Sequence, residues 1–135
     1  MCDYTTTKTK TYKSGNVKYI KHYLHGRLHN DKGPAVMKYN KKCKLILEEY
    51  YICGKLSRLF APARIKHKSD GEVKISYYYK GLKHNKFGPA VIVIDKDGNK
   101  KSETYYFNGK LSNPMNGGPI YQNFETGRKI WESTI

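Results

Sequence analysis

Long apolar runs are missing from this chain of 135 residues. No stretch approaches the roughly 18 apolar residues typical of a membrane-spanning helix, so we expect no transmembrane segment. The first residues, Met1-Cys2-Asp3-Tyr4 and a run of threonines and lysines, lack the apolar centre of a secretory signal peptide. We therefore expect an intracellular protein and not a secreted one.

Cysteine, arginine and acidic side chains are also scarce. The three cysteines are an odd number without Cys-x-x-Cys spacing, which argues against a disulfide framework or a zinc site and favours a reducing compartment. The 11 acidic residues stand against 26 basic ones, a net charge of +15. Lysine outnumbers arginine by 22 to 4. Because lysine is a hydrated point charge, this bias favours nonspecific attraction to an acidic partner, or merely reflects an AT-rich genome.

The positive charge is concentrated in the N-terminal third, where residues 1–43 carry 10 basic and 2 acidic side chains. Lysines alternate with tyrosines there, a mixture that can follow a nucleic-acid backbone while bases stack on the rings. Alternatively, the lysines protect exposed strand edges from aggregation. The candidate residues for binding a polyanion or another partner are Lys8, Lys10, Lys13, Lys18, Lys21, Arg27, Lys38, Lys41 and Lys42.

One pattern recurs four times: aromatic residues, a glycine, a Lys-Leu pair, a short polar loop and Gly-Pro-Ala. Its glycines, Gly26, Gly54, Gly81 and Gly109, stand 28, 27 and 28 residues apart. A constant period of this length is the signature of a repeat array. We assign the repeats to residues 17–43, 44–72, 73–100 and 101–128 of a single domain spanning 1–135, with partial units at 1–16 and 129–135.

Each repeat reads as two β-strands. Residues 73–79 alternate with period two, so that Val73, Ile75, Tyr77 and Tyr79 share one face, and β-branched and aromatic residues dominate, as strands prefer. A glycine then ends the strand, and a proline opens a second strand that closes on an Asp-Gly turn. The sequence predicts an all-β fold, an elongated single-layer antiparallel sheet of stacked hairpins with about four full repeats. The partial units would cap the sheet or pair with another chain, giving a homo-oligomer through the end strands.

Equivalent positions of the repeats form columns across this sheet. We expect the column that follows the proline (Ala35, Ala63, Ala90 and Ile120) to be buried. We expect the same of the column two residues before the glycine (Leu24, Ile52, Tyr79 and Phe107). The opposite face carries a tyrosine ladder, Tyr23, Tyr51, Tyr78 and Tyr106, which serves either cross-strand packing or base stacking.

The glycine, Lys-Leu and Gly-Pro-Ala pattern resembles the MORN repeat, in the variant found in bacterial antitoxin-like proteins and in proteins of giant DNA viruses. The resemblance covers residues 17–128. The chain departs from it at Cys53, Ala61 and the inverted pair Leu82-Lys83, and its fourth unit is two residues longer. The resemblance implies a twisted sheet of hairpins without catalytic activity, used for contacts with proteins and sometimes with acidic lipids.

Catalytic and metal-binding patterns are not recognisable in the sequence. His22 and His25 point to opposite faces of a strand, and no carboxylate or cysteine is spaced to complete a site with them. Glu48 and Glu49 are adjacent and face opposite ways, so they do not form an acid/base pair. We expect no enzyme activity, no metal and no cofactor.

Three functions remain open from sequence. The first is a structural protein of a large DNA virus, located in the host cytoplasm and in the virion or acting as a scaffold, that binds other proteins such as capsid or core proteins through its sheet. The second is a nonspecific binder of nucleic acid or anionic lipid that uses the basic N-terminal third. The third is an antitoxin-like partner of another protein. Lysines that share a face with open tyrosines would favour nucleic acid, whereas lysines scattered along the edges would indicate solubility.

Overall fold

The computed structural model describes residues 5–114 and 118–131. All of its regular structure is β-strand, and ten strands form one open antiparallel sheet in the order β1-β2-β4-β5-β8-β9-β12-β13-β16-β17. The first seven are β1 (Thr5–Thr11), β2 (Val17–Leu24), β4 (Val36–Tyr39), β5 (Leu45–Glu49), β8 (Arg64–His67), β9 (Val73–Ser76) and β12 (Val91–Ile94). The others are β13 (Lys100–Thr104), β16 (Tyr121–Asn123) and β17 (Lys129–Ile130). The single-layer sheet of hairpins is therefore confirmed.

The structure adds a short return strand that the sequence analysis did not anticipate. After the glycine of each repeat, two residues pair back on the preceding strand and form a small hairpin arm. The return strands are β3 (Arg27–Leu28), β7 (Lys55–Leu56), β11 (Leu82–Lys83) and β15 (Lys110–Leu111). β3 pairs with the end of β2, and the others pair with short strands that precede the glycine, β6 (Tyr51–Ile52), β10 (Tyr78–Tyr79) and β14 (Tyr106–Phe107). Both turn residues of each arm have positive φ, as in Cys53 (48°) and Gly54 (83°). This is the geometry of a two-residue turn whose twist matches the paired strands.

The hairpin arms dock on the preceding repeat through backbone hydrogen bonds. The Gly54 amide donates to the Leu28 carbonyl at 2.8 Å, and the amides of Gly81 and Gly109 do the same one and two repeats later. A side chain of the preceding repeat adds a second contact at each step, because it accepts a hydrogen bond from the backbone amide of the residue before the glycine. The pairs are Cys53 with His29 Nδ1 (2.9 Å), Lys80 with Ser57 Oγ (3.0 Å) and Asn108 with His84 Nδ1 (2.9 Å). The arms therefore stack in register along one side of the sheet.

The core is a thin line of small side chains. The predicted column after the proline is confirmed, since Ala35, Ala63 and Ala90 have no exposed surface and Ile120 is 1% exposed. The column before the glycine was predicted to be buried, which is wrong for three of its four members, because these side chains lie on the arms. The exposed members are Ile52, Tyr79 and Phe107. The strand that follows each proline begins beside the base of an arm, as the hydrogen bond from the Tyr50 amide to the Ala63 carbonyl shows. No neighbouring strand of the described sheet therefore covers the arm itself.

The partial units extend the sheet as its edge strands. β1 pairs with β2 along its whole length, from Thr5 opposite Leu24 to Thr11 opposite Val17, and its side chains are exposed. At the other end β17 pairs with β16. Residues 1–4 and 132–135, the outer parts of the predicted caps, lie outside the described residues, as do residues 115–117 of the longer fourth unit.

Candidate polyanion-binding face

Strand alternation divides the sheet into two faces of different character. The face that carries the tyrosine ladder is here called the ladder face, and the other the aliphatic face. In register across the aliphatic face run Ile20, Met37, Glu48, Ile65, Ile75, Ile92, Glu103 and Gln122. The corresponding row of the ladder face is Lys10, Tyr19, Lys38, Leu47, Lys66, Lys74, Val93, Ser102 and Asn123. Cations are thus concentrated on one face.

The lysine row runs across the strands, because its members lie on one line of cross-strand partners. Lys10 lies on β1, Lys38 on β4, Lys66 on β8 and Lys74 on β9, and the last two are direct cross-strand partners. Five strand spacings separate the two ends of the row, which corresponds to about 24 Å. A second cation pair, Lys8 opposite Lys21, lies beside the row on the same face.

The structure divides the nine residues proposed from sequence among three places. Lys8, Lys10, Lys21 and Lys38 lie on the ladder face. Lys18 lies on the aliphatic face, with its Nζ atom 5.7 Å from the centre of the Tyr12 ring. The remaining four are at the margins of the sheet: Lys13, Lys41 and Lys42 in turns, and Arg27 on the first hairpin arm.

A second group of cations, in the second and third repeats, was missed by the emphasis on the N-terminal third. Arg64, Lys66, Lys68, Lys74 and Lys83 line a depression of about 390 Å³ on the ladder face, together with Ser76 and Tyr78. One acidic side chain, Glu72, also lines it. The signal was present in the sequence, because alternating cations at 64, 66 and 68 share one face of a strand.

Lys83 enters this depression because the Lys-Leu order is inverted in the third repeat. In the other repeats a leucine is the cross-strand partner of the ladder tyrosine, as Leu56 is of Tyr51. In the third repeat Lys83 is opposite Tyr78. Its Nζ atom lies 5.1 Å from the centre of the Tyr106 ring, a cation–π contact. The inversion replaces an apolar side chain of the ladder face by a cation.

Ion pairs neutralise part of this group. Arg64 Nε lies 3.1 Å from Glu49 Oε2, and Lys68 Nζ lies 2.7 Å from Glu72 Oε2. Hydrogen bonding to Lys68 accordingly holds the pKa of Glu72 below its ordinary value.

The other three cations of the depression have no such partner. Within residues 5–114 and 118–131, no carboxylate lies within 4.0 Å of the ammonium groups of Lys66, Lys74 or Lys83. Partial burial lowers the pKa of Lys74, and the positive charges of Lys83 and Arg64 lower it further. The depression therefore has a positive potential that its own carboxylates do not cancel.

The ladder tyrosines are half-buried beside the cations. Burial raises the pKa of Tyr51, and the neighbouring Glu49 carboxylate raises it further. Tyr19, in the lysine row itself, lies under Lys21, with 4.5 Å between the ammonium nitrogen and the ring centre. The rings thus pack against the sheet and also line the surface on which the lysines stand.

The loop side of the array is apolar by comparison. A groove of about 520 Å³ lies between the loops of the second and third repeats, where Leu59, Phe60 and Phe87 are exposed. Phe60 is 88% exposed and has a φ of 60°, in a loop where Arg58 replaces the asparagine found at the equivalent positions of the other three. Grooves of similar size lie between the neighbouring loops on either side.

Two further findings concern metal ligands and membrane-spanning helices within residues 5–114 and 118–131. No three histidine, cysteine, aspartate or glutamate side chains converge there in a way that could hold a metal ion. His29 instead joins Asp31 (2.9 Å) to the Cys53 amide. No helix in the same ranges is long and apolar enough to cross a membrane.

The relation of the chain to known proteins rests on its repeat pattern. No protein-family model matches the sequence, and no curated protein matches it. The likeness to MORN repeats therefore stands as a resemblance of spacing and residue type.

Proposed function

We propose that the protein is a non-catalytic repeat protein that binds single-stranded nucleic acid across its ladder face. The observation that carries the proposal is the in-register row formed by Lys10, Lys38, Lys66 and Lys74, on the same face as the tyrosine ladder. Lysines in a line neutralise successive phosphates, and neighbouring rings offer stacking surfaces to bases of any sequence. The low arginine content agrees with binding that does not depend on base sequence.

Sheet twist favours a flexible strand over a membrane as the partner. In antiparallel sheets adjacent strands are typically rotated by about 20° relative to each other, and at that value five steps would rotate the surface by about 100°. A planar bilayer would contact only part of a row that turns in this way. A single strand of nucleic acid can follow the whole of it.

The test compares two double variants with equal loss of charge. Lys10→Gln/Lys38→Gln removes two members of the row, whereas Lys13→Gln/Lys41→Gln removes two lysines from turns at the margin. Binding of a fluorescent single-stranded oligonucleotide is measured by anisotropy over a series of salt concentrations. Each phosphate contact contributes about −0.7 to the slope of log K against log salt. We expect the row variant to lose about 1.4 of the slope and the turn variant to keep it.

Two outcomes would refute the proposal. Wild-type affinity that does not change with salt would mean that no phosphates are contacted. Equal loss in both double variants would mean that net charge, and not the row, determines binding. Vesicles containing anionic lipid provide the comparison partner, and tighter binding to vesicles than to the oligonucleotide would favour the lipid alternative.

A scaffold role through protein contacts is the second candidate, and the exposed loop side favours it. Phe60, Phe87 and Leu59 form an exposed apolar surface, the kind that marks interaction sites on soluble proteins. A photo-crosslinking residue at position 60 should capture specific proteins in the producing cells, and one at position 13 should not. Equal capture at both positions would contradict this role. The repeat resemblance supports the further proposal that the protein belongs to a large DNA virus, and its detection in purified virions by mass spectrometry tests this.

A further inference from the structure

The depression on the ladder face is a discrete site and not only the end of the lysine row. Arg64, Lys66, Lys68, Lys74 and Lys83 come from four strands or turns and surround one volume of about 390 Å³. The lysine row alone would contribute only Lys66 and Lys74, which lie side by side on neighbouring strands. Here Lys83, which belongs to a hairpin arm and not to the row, lines the same volume. Cations therefore approach a bound group from more than one direction.

The hydroxyl groups at the site suit the same kind of ligand. Ser76 belongs to the strand that carries Lys74 and is almost completely buried. Tyr78 lines the depression beside Lys83, its cross-strand partner. Hydroxyl and ammonium donors together match the oxygens of a phosphate group, which accept several hydrogen bonds.

The charge balance indicates a doubly charged anion. Arg64 and Lys68 are already paired with carboxylates, which leaves three ammonium groups without a counter-charge. A phosphodiester within a nucleic-acid strand carries one negative charge. A terminal or free phosphate carries close to two at neutral pH and compensates more of the excess.

We propose that this depression binds a phosphate dianion, either the terminal phosphate of a nucleic-acid strand or free phosphate, and that Lys83 is the residue that creates the site. In its nucleic-acid form the proposal rests on the proposed function, because the lysine row would guide the strand whose end the depression holds. In its free-phosphate form it stands independently of that function.

The chain offers a matched variant in the double exchange Leu82→Lys/Lys83→Leu. It keeps the net charge and restores the order of the first, second and fourth repeats, where leucine faces the ladder tyrosine. The exchanged protein should therefore fold, which thermal unfolding verifies. A second control, Lys86→Gln, removes a positive charge from a loop outside the depression.

The first measurement uses inorganic phosphate and backbone amide NMR spectra. Wild-type protein should show saturable shifts at residues 74, 76, 78 and 83, Lys86→Gln should show the same shifts, and the exchange variant should lose them. Equal responses of wild type and exchange variant would overturn the proposal, as would shifts that do not map to the depression. Because no oligonucleotide is present, this result does not depend on the lysine row.

The second measurement compares one oligonucleotide with and without a 5′-terminal phosphate. We expect the phosphorylated form to bind wild type about tenfold more tightly, a size typical of one charged hydrogen-bonded contact, and the exchange variant to bind both forms equally. Saturable shifts with inorganic phosphate but no preference here would assign the site to free phosphate. If phosphate binds and neither oligonucleotide does, the proposed function fails and the site remains.

Discussion

Replacing Cys43 by glycine should stabilise the protein. Cys43 has a φ of 65° in the turn between the first two repeats, and the equivalent residues of the other turns are Gly15 (94°), Gly71 (94°) and Gly98 (87°). All four amides donate to the carbonyl three residues earlier, at 2.9–3.1 Å. The four turns therefore share one geometry, and only one of them holds a residue with a Cβ atom in the left-handed region.

The expected gain follows from two opposing terms. Left-handed backbone costs a residue with a Cβ atom roughly 1–2 kcal/mol. Glycine loses more backbone entropy on folding, which offsets about 0.5–1 kcal/mol of that gain. Because the Cys43 side chain is exposed, its removal loses little packing. We expect the free energy of unfolding to rise by about 0.5–1 kcal/mol, which raises Tm by about 2–5 °C for a domain of this size.

Thermal and urea unfolding under reducing conditions measure this difference. Cys43→Ala is the control, because it removes the thiol and keeps the strained backbone. We expect Cys43→Ala to be no more stable than wild type. Equal stabilisation by both variants would assign the gain to loss of the thiol and refute the conformational explanation.

Three further variants test other parts of the array. Gly71→Ala should destabilise by more than Gly98→Ala, because a Cβ at 71 would lie 2.8 Å from Lys96 Cβ whereas one at 98 meets nothing within 4 Å; equal unfolding midpoints would contradict this. Ser57→Ala should cost about 1 kcal/mol in urea unfolding by removing the acceptor of the next arm's amide, and Ser57→Thr should recover part of it. Glu72→Gln should destabilise at neutral pH. The pKa of Glu72 in the folded protein lies below its ordinary 4.5, so the stabilisation by its charged form is lost as pH falls through the folded value. The free energies of unfolding of the two proteins should therefore converge in acid. A difference that stays constant with pH would exclude the ion pair as its cause.

The period of the sequence was sufficient to predict the architecture. The spacing of Gly26, Gly54, Gly81 and Gly109 indicated the repeats, and strand alternation placed Ala63 and its equivalents in the core. These features depend on local patterns that each repeat contains in full. The hairpin arms do not, because two residues are too few for an alternation pattern to reveal. From the second repeat onward, each arm also docks on the preceding repeat through hydrogen bonds that a local pattern does not reveal.

The candidate site was only partly predictable for the same reason. Lys10 and Lys38 were selected from the charge of the N-terminal third, but so were Lys13 and Lys41, which lie in turns. Charge density along the chain does not reveal which face a residue occupies. Lys83 illustrates the difficulty, since the inversion of Leu82-Lys83 was visible in the sequence. Its effect on the ladder face becomes apparent only when the return strand fixes the direction of each side chain.

The docking of each hairpin arm on the preceding repeat gives the array a direction. Donors lie on the side of a unit that faces the start of the chain, and acceptors such as the Leu56 carbonyl and Ser57 hydroxyl face the next unit. Much of this junction is made by backbone atoms, so successive units need not share side chains. Duplication of one unit within a gene would thus present a compatible junction at both ends. Such arrays can lengthen by whole units while side chains such as Lys83 diverge and give individual units separate roles.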